Sequence, residues 1–301
     1  MKESGILNVN KPAGWTSHDV VARTRKLLNT KKIGHAGTLD PDATGVLILC
    51  IGKATKLVQY LIGMDKEYEA VMRLGESTTT QDASGEVLEK KPWLTVQEED
   101  LIRCFSQFTG EITQVPSAYS AIKIGGVSSY KLARQGKEVK IPGRTVKVHK
   151  IELLGKQGPD VFIRIQCSKG TYIRTLCHDM GFSLGTRAHL FSLKRTRSGI
   201  FNIDDSISLE EISDFVESNR MDMEIYGMDE VMTEFPSISI DELSEKKVIH
   251  GSPLLLKDGE EKYLKRGNVV CLKNRNGNLL ALGVFEGEET KTVKIDKVLI
   301  Q

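Results

Sequence analysis

Residues 30–52 read TKKIGHAGTLDPDATGVLILCIG, and the break inside this stretch decides how the chain is organised. Thr30 to Gly45 holds three glycines and one proline without apolar periodicity, which predicts a loop. Val46 to Gly52 is a short, continuous apolar run, as expected of a strand buried on both faces. A polar loop is therefore expected to stand on a rigid interior strand. Within it, Gly34 to Pro41 (GHAGTLDP) concentrates unusual backbone. Its two glycines permit positive φ or the close approach of another molecule, and Pro41 fixes the chain directly after Asp40. Such a carboxylate points in a defined direction, although an Asp before Pro is also an ordinary turn residue.

Upstream, ILNVNKPAG predicts a strand ending in a turn, then a helix capped by Thr16 with Asp19 three residues on and Val20, Val21, Leu27 and Leu28 on its apolar face. Downstream, YEAVMRLG predicts a strand and TTTQDASG a turn-rich connection. A helix is expected from Thr95 to Phe108, with Glu98 completing a capping box, Leu101, Ile102, Phe105 and Phe108 inward, and Gly110 stopping it. TVKVHKIELL and VFIRIQC alternate with period two, which places Val161, Ile163, Ile165 and Cys167 on a buried face. A further helix is expected around Tyr172 to Leu184. Strands and helices mix without a βαβ repeat, so the expected class is α+β: a mixed, largely antiparallel sheet flanked by helices. Ser208 and Glu211 form a second capping-box pattern. Beyond Phe235 the elements become short strands, with VVCLK and LLALGVF flanking Asn274-Arg275-Asn276-Gly277, a hairpin turn. The expected division is 1–235 for a catalytic domain and 236–301 for a small β-rich one.

Composition narrows the function classes. The 301 residues are 40% hydrophobic and 27% charged, as in a globular protein. No apolar run reaches membrane length and MKESGILNVNKP lacks a secretory core, so a cytoplasmic protein without membrane contact is expected. Five separated cysteines with no C-x-x-C, and six histidines with no H-x-x-x-H, predict reduced thiols and no metal. Lys and Arg outnumber Asp and Glu by 30 to 19 over residues 1–203, are outnumbered 1 to 14 over 204–245, and lead 11 to 7 over 246–301. A basic body suits a polyanionic partner, though a solvated surface carries the same charge. Residues 117–150 hold eight basic side chains (Lys123, Lys131, Arg134, Lys137, Lys140, Arg144, Lys147 and Lys150) against the single acid Glu138, with Tyr119 and Tyr130 interleaved. This is the composition of an RNA grip.

The pattern G-H-x-G-x-L-D-P resembles the signature of the bacterial tRNA pseudouridine-55 synthase family. Asn10-Lys11-Pro12-Ala13-Gly14, Asp65-Lys66-Glu67-Tyr68, Pro116 to Lys123 (PSAYSAIK) and Ser168 to Arg174 (SKGTYIR) resemble that family in order and approximate spacing. The resemblance is close over roughly residues 5–200; the remainder is loosely similar to the family's C-terminal RNA-binding domain of PUA type. It implies a pseudouridine synthase fold, with Asp40 as the essential carboxylate, Tyr68 against the target base and Arg174 paired with Asp40. It also implies that the 117–150 insertion clamps the tRNA T-loop. The reaction needs no cofactor and the enzyme no obligatory protein partner; a monomer is expected.

Because a base must leave its stack before it can be rearranged, an aromatic or apolar pocket is required. Tyr68, Tyr172 and Leu193 are the candidate walls, and His35 a candidate stacking partner. The expected RNA contacts are Lys11, Lys123, Lys131, Arg134, Lys137, Lys169 and Arg195, with Arg187, Lys194 and Arg197 forming a second basic group. Asp82 is expected only to cap or orient its neighbours. Two rivals are a guide-RNA-dependent relative, disfavoured by the basic insertion, and a non-catalytic RNA-folding protein, which has no need of Asp40.

Overall fold

A computed structural model describes residues 4–117, 123–124, 127–128, 141–218 and 224–300, the two dipeptides by backbone alone. The chain opens with β1 (Gly5–Lys11), α1 (Ser17–Leu27), β2 (Ile33–Ala36), β3 (Thr44–Ile51), α2 (Val58–Leu61) and β4 (Lys66–Leu74). There follow β5 (Glu76–Thr78), β6 (Val87–Lys90), α3 (Glu98–Gln107), β7 (Gly110–Gln114) and the short pair β8 (Lys123–Ile124) and β9 (Val127–Ser128). Next come β10 (Arg144–Gln157), β11 (Asp160–Cys167), α4 (Ile173–Ser183), β12 (Ala188–Ser198), β13 (Phe201–Asn202) and α5 (Leu209–Glu217). The C-terminal part comprises β14 (Ser237–Ser239), α6 (Glu242–Ile249), β15 (Leu254–Leu255), β16 (Val269–Lys273), β17 (Leu279–Phe285) and β18 (Thr292–Val298).

The central sheet runs β1-β3-β12-β4-β11-β10-β7, with β2 joined to β3 and β13 to β12. Every pairing is antiparallel except β3 with β12, where Thr44 meets Lys194 and Gly45 meets Arg195. The expected mixed, largely antiparallel α+β architecture is the observed one. Alternating burial along β4 and β11 follows from helices on one face: Tyr68, Ala70, Met72, Ile163 and Ile165 pack with Leu101, Phe105, Leu176 and Met180 of α3 and α4. The unbroken apolar run of β3 has a different cause. Val46, Ile48 and Cys50 face one core shared with Leu57 and Leu61, while Leu47, Leu49 and Ile51 face another shared with α1 and α5, so both sides of the strand are buried.

Local capping explains several boundaries. Thr16 and Asp19 form the expected reciprocal box, as do Ser208 and Glu211. The third helix departs from expectation: Gln97 is its cap and Asp100 its third residue, two positions later than the predicted Thr95 and Glu98. Ile102, expected inward, turns outward at 55% exposure while Leu101, Cys104 and Phe105 face inward as an i, i+3, i+4 set. A second departure lies inside the quoted loop, where Ile33 to Ala36 form β2 against β3. The buried edge of β3 supplies hydrogen-bond partners and a seat for Ile33 and Ala36, overriding the weak local propensity of a Gly-containing segment.

The second sheet has the order β14-β16-β17-β18-β15, with the expected hairpin at Asn274 to Gly277 between β16 and β17. It docks on the segment after β3: Cys271, Leu279, Leu282 and Leu299 share a core with Leu57 and Leu61, and Gln59 and Tyr60 both donate to Asp296. Among the described residues no helix is long and apolar enough to cross a membrane.

Candidate active site

Asp40 sits on a loop fastened on both sides. Lys11, wholly buried at the end of β1, donates from Nζ to the carbonyls of Pro12 (2.8 Å), Trp15 and Pro41 (2.8 Å). Ser17 Oγ, at the start of α1, accepts from Leu39 N (2.9 Å) and donates to the Leu39 carbonyl (3.2 Å). Beneath the loop, Arg195 donates to the carbonyls of Val46 (2.6 Å) and Gly37 (3.0 Å). Gly37 has φ +98°, and a Cβ there would meet the Arg195 guanidinium at 3.4 Å. The backbone on either side of Asp40 is thus held by buried donors, leaving its half-exposed carboxylate to project into a cavity of about 250 Å³.

Arg174, in the first turn of α4 and 6% exposed, places Nη1 3.5 Å from Asp40 Oδ2 and 3.4 Å from Asp82 Oδ2. Asp82 is anchored in turn by Thr80 Oγ1 (2.6 Å), Ser84 Oγ (2.6 Å) and Ser84 N (3.0 Å), all bonded to its Oδ1. Burial works against the charge of Asp82, but the bonds from Ser84 and Thr80 and the Arg174 charge outweigh it and hold the carboxyl below its ordinary range. One guanidinium therefore stands between two carboxylates, one fixed by neighbours and one facing the cavity. The expected pairing of Asp40 with Arg174 is present in the geometry. The part of Asp82 in it was visible in sequence only as an Asp two residues from Thr80 and from Ser84.

Tyr68, Tyr172 and Leu193, expected as walls, all line this cavity. Tyr68 is opposite both Ile165 and Arg195 in the sheet, which brings its ring beside the fastened loop. Burial raises its phenol above the ordinary tyrosine value while the Arg195 charge pulls the other way, so the group stays a neutral hydrogen-bond donor near pH 7. Lys66, at the start of the same strand, also lines the cavity; it donates to the Ile62 carbonyl at 2.7 Å, and burial lowers it to about 8.

Other residues lie elsewhere than the sequence suggested. Lys11 and Arg195, expected as RNA contacts, are 0% and 1% exposed and donate to backbone carbonyls of the polar loop, Lys11 away from the cavity and Arg195 on its lining. Arg187 is buried and paired bidentately with Glu89, at 2.6 and 3.0 Å. His35 is on β2, where its Nε2 lies 3.3 Å from His18 Nδ1; burial, then the charges of His18 and Arg195, lower it to about 4. It does not line the cavity. Lys169 and Lys194 are exposed near the site, whereas Arg197 is half-buried and donates to the Gly199 carbonyl. Lys131, Arg134 and Lys137, with Tyr119 and Tyr130, lie outside the described residues, and of Lys123 the backbone alone is described, in β8.

The arrangement holds one carboxylate in a fixed direction beside a guanidinium, facing an aromatic and apolar cleft. Comparison with known proteins adds the chemical class. Residues 25–173 match the TruB family pseudouridylate synthase N-terminal domain, and residues 174–233 match the tRNA pseudouridylate synthase B C-terminal domain. The tRNA pseudouridine synthase B of Clostridioides difficile (strain 630) is 41% identical over 302 residues, covering 98% of this chain and 99% of that protein. Its counterpart from a Mycobacterium species (strain KMS) is 49% identical over 214 residues, 70% of this chain and 72% of that one. Among solved structures, a chain of a Cbf5-Nop10-Gar1 complex superposes with a TM-score of 0.78 at 32% identity, covering 99% of this chain and 85% of that chain. A chain of an H/ACA RNP bound to a substrate RNA containing 2'-deoxyuridine gives 0.76 at 31%, with the same coverage. Near-complete coverage at such identity, on a fold that faces an Asp–Arg pair into a cleft, shows that the chain belongs to the TruB family of pseudouridylate synthases.

Proposed function

We propose that this chain isomerises uridine 55 in the T-loop of tRNA to pseudouridine, with Asp40 as the catalytic carboxylate, and acts without guide RNA, cofactor or obligatory protein partner, as a cytoplasmic monomer. The observation that carries the reading is the Asp40 carboxylate, oriented by a backbone-fastened loop and by Arg174, at a cavity walled by Tyr68 and Leu193. The reaction breaks the N1–C1′ bond, turns the uracil and joins C5 to C1′; the C5 proton leaves and N1 regains one, so atoms and charge balance without a redox partner. A carboxylate can serve it by attacking C6 or C1′, or by removing a proton from the sugar. Tyr68 contacts the extruded base, and the energetic cost of extrusion, a few kcal/mol, is offset by burial of the base in the pocket.

The tRNA assignment is supported by the higher identity to a tRNA pseudouridine synthase B, 41% over nearly the whole chain, than to the chains from the Cbf5-Nop10-Gar1 complex and the H/ACA RNP, 32% and 31%. The basic composition of residues 117–150 supports a T-loop clamp including Lys123, Lys131, Arg134 and Lys137. Residues 1–235 are the catalytic unit in this reading, and 236–301 a PUA-like RNA-binding unit. The test is incubation of the purified protein with an unmodified tRNA transcript, followed by mapping of pseudouridine. Wild type should modify position 55, and Asp40→Asn and Asp40→Ala should not while still binding the transcript. Equal product from all three proteins rejects the assignment.

A further inference from the structure

Three arginines of this chain are built alike, and only two of them hold an anion among the described residues. Arg73 lies over the Phe191 ring, 3.5 Å from its centroid, and grips Asp160 with Nε and Nη2 at 2.6 and 2.8 Å. Arg187 lies over Phe182 at 4.0 Å and grips Glu89 through the same two nitrogens. In each, an aromatic face fixes the guanidinium plane and the Nε/Nη2 edge meets the two oxygens of a carboxylate. Arg144, at the start of β10, lies over the Tyr172 ring at 4.3 Å. Its Nε and Nη2 are withdrawn from solvent and have no hydrogen-bond partner among the described residues. The stack is present, and no carboxylate among the described residues meets this edge.

The location supplies the missing partner. Arg144 lines the same cavity as Asp40, Tyr68 and Arg174, and Tyr172 is shared between the two arginines, its centroid 5.5 Å from the Arg174 guanidinium carbon. A guanidinium edge withdrawn from solvent and left without acceptors is costly unless a ligand completes it. In an RNA the groups offering two anionic oxygens at that spacing are the phosphodiesters. We propose that Arg144 is a phosphate-binding residue of this site, gripping through its Nε/Nη2 edge one phosphodiester adjoining the extruded nucleotide. The inference deepens the RNA-modifying reading above and rests on it. Tyr172 then acts chiefly as the platform that orients Arg144, and only secondarily as a wall for the base. Because both nitrogens are closed to solvent, the rim of the cavity must shift as the phosphate enters.

The test uses T-arm stem-loop RNAs in which one phosphate at a time near the target uridine is replaced by a neutral methylphosphonate. Binding is measured with wild type, Arg144→Ala and Arg144→Lys. Arg144→Ala should weaken binding of the unmodified RNA about tenfold to a hundredfold. One methylphosphonate position should weaken wild type by a comparable factor and cost Arg144→Ala nothing further. Arg144→Lys, which keeps the charge but lacks the fork, should fall between and guards against a folding defect in the alanine variant. If every methylphosphonate penalises wild type and Arg144→Ala equally, the proposal is overturned. Pseudouridine formation by wild type in the same RNAs separates the two readings. Product without phosphate coupling refutes this contact alone, whereas coupling without product refutes the activity alone. Absence of binding by wild type refutes both.

Discussion

Replacing Arg174 by Ala isolates the interaction on which the proposed chemistry depends. Its Nη1 stands 3.5 Å from Asp40 Oδ2, and two unit charges at that separation attract by about 5 kcal/mol at an effective dielectric of 20 and about 1 kcal/mol in bulk water. The Asp40 side chain is 50% exposed, so screening brings the expected loss toward the lower part of that range, about 1–3 kcal/mol. If that loss falls on the reacting state, the rate drops roughly fivefold to 150-fold. Since Arg174 itself is buried behind Asp40 and Asp82, RNA affinity should change by less than about threefold, within a fraction of a kcal/mol. The assay is a single-turnover measurement on tRNA carrying tritium at C5 of uridine, where release of the label reports the chemical step, together with a direct binding titration. Removing Arg174 also strips a partner from Asp82, so part of any rate loss could come from misfolding. The double variant Arg174→Ala with Asp82→Asn controls for this by removing the orphaned charge; it should regain thermal stability without regaining rate. Weakened binding with an unchanged single-turnover rate refutes the reasoning.

Lys11→Met should leave the carbonyls of Pro12 and Trp15 without their donor, and that of Pro41 with Gly14 N alone, and lower stability by about 2–4 kcal/mol, measured by urea unfolding. Burial lowers Lys11 from 10.5 to about 8, so between those values the unfolded chain binds a proton that the folded chain has released, and this residue's contribution to stability rises with pH. Raised cysteine and tyrosine groups act oppositely in the same window, but they are common to both proteins. Wild-type stability minus that of Lys11→Met should therefore grow from pH 8 to 10, and a flat difference would count against the buried-cation account. Gly45→Ala should cost about 3 kcal/mol or more in thermal unfolding, because φ is +97° and the new Cβ would stand 2.2 Å from the Arg195 carbonyl oxygen. Survival of Gly45→Ala with an unchanged melting temperature would mean that β3 and β12 can separate locally. Lys131→Glu combined with Lys137→Glu should weaken tRNA binding and reduce its logarithmic salt slope by about two; an unaltered slope argues against a clamp at residues 117–150.

Much was legible in the sequence because it depends on neighbours along the chain. Capping boxes at Thr16 and Ser208, the alternation of VFIRIQC, the Asn-Gly hairpin and the apolar run after Gly45 are local patterns, and each fixes an element with little help from elsewhere. The carboxylate, the guanidinium and two aromatic candidates were legible by motif, since their residue types and spacing accompany a known chemistry. Tertiary contact alone decided the rest. A lysine in a turn motif and an arginine in a basic cluster look like surface cations until the folded chain brings carbonyls within reach, and Lys11 and Arg195 then become interior supports of the loop. Likewise β2 exists because β3 offers a buried edge, and Asp82 reaches Arg174 from 92 residues away because β5, β6 and α4 converge there. Charge and pattern along a chain specify what a side chain can do; which partner it meets depends on burial, where an unpaired donor or acceptor costs more than almost any local preference.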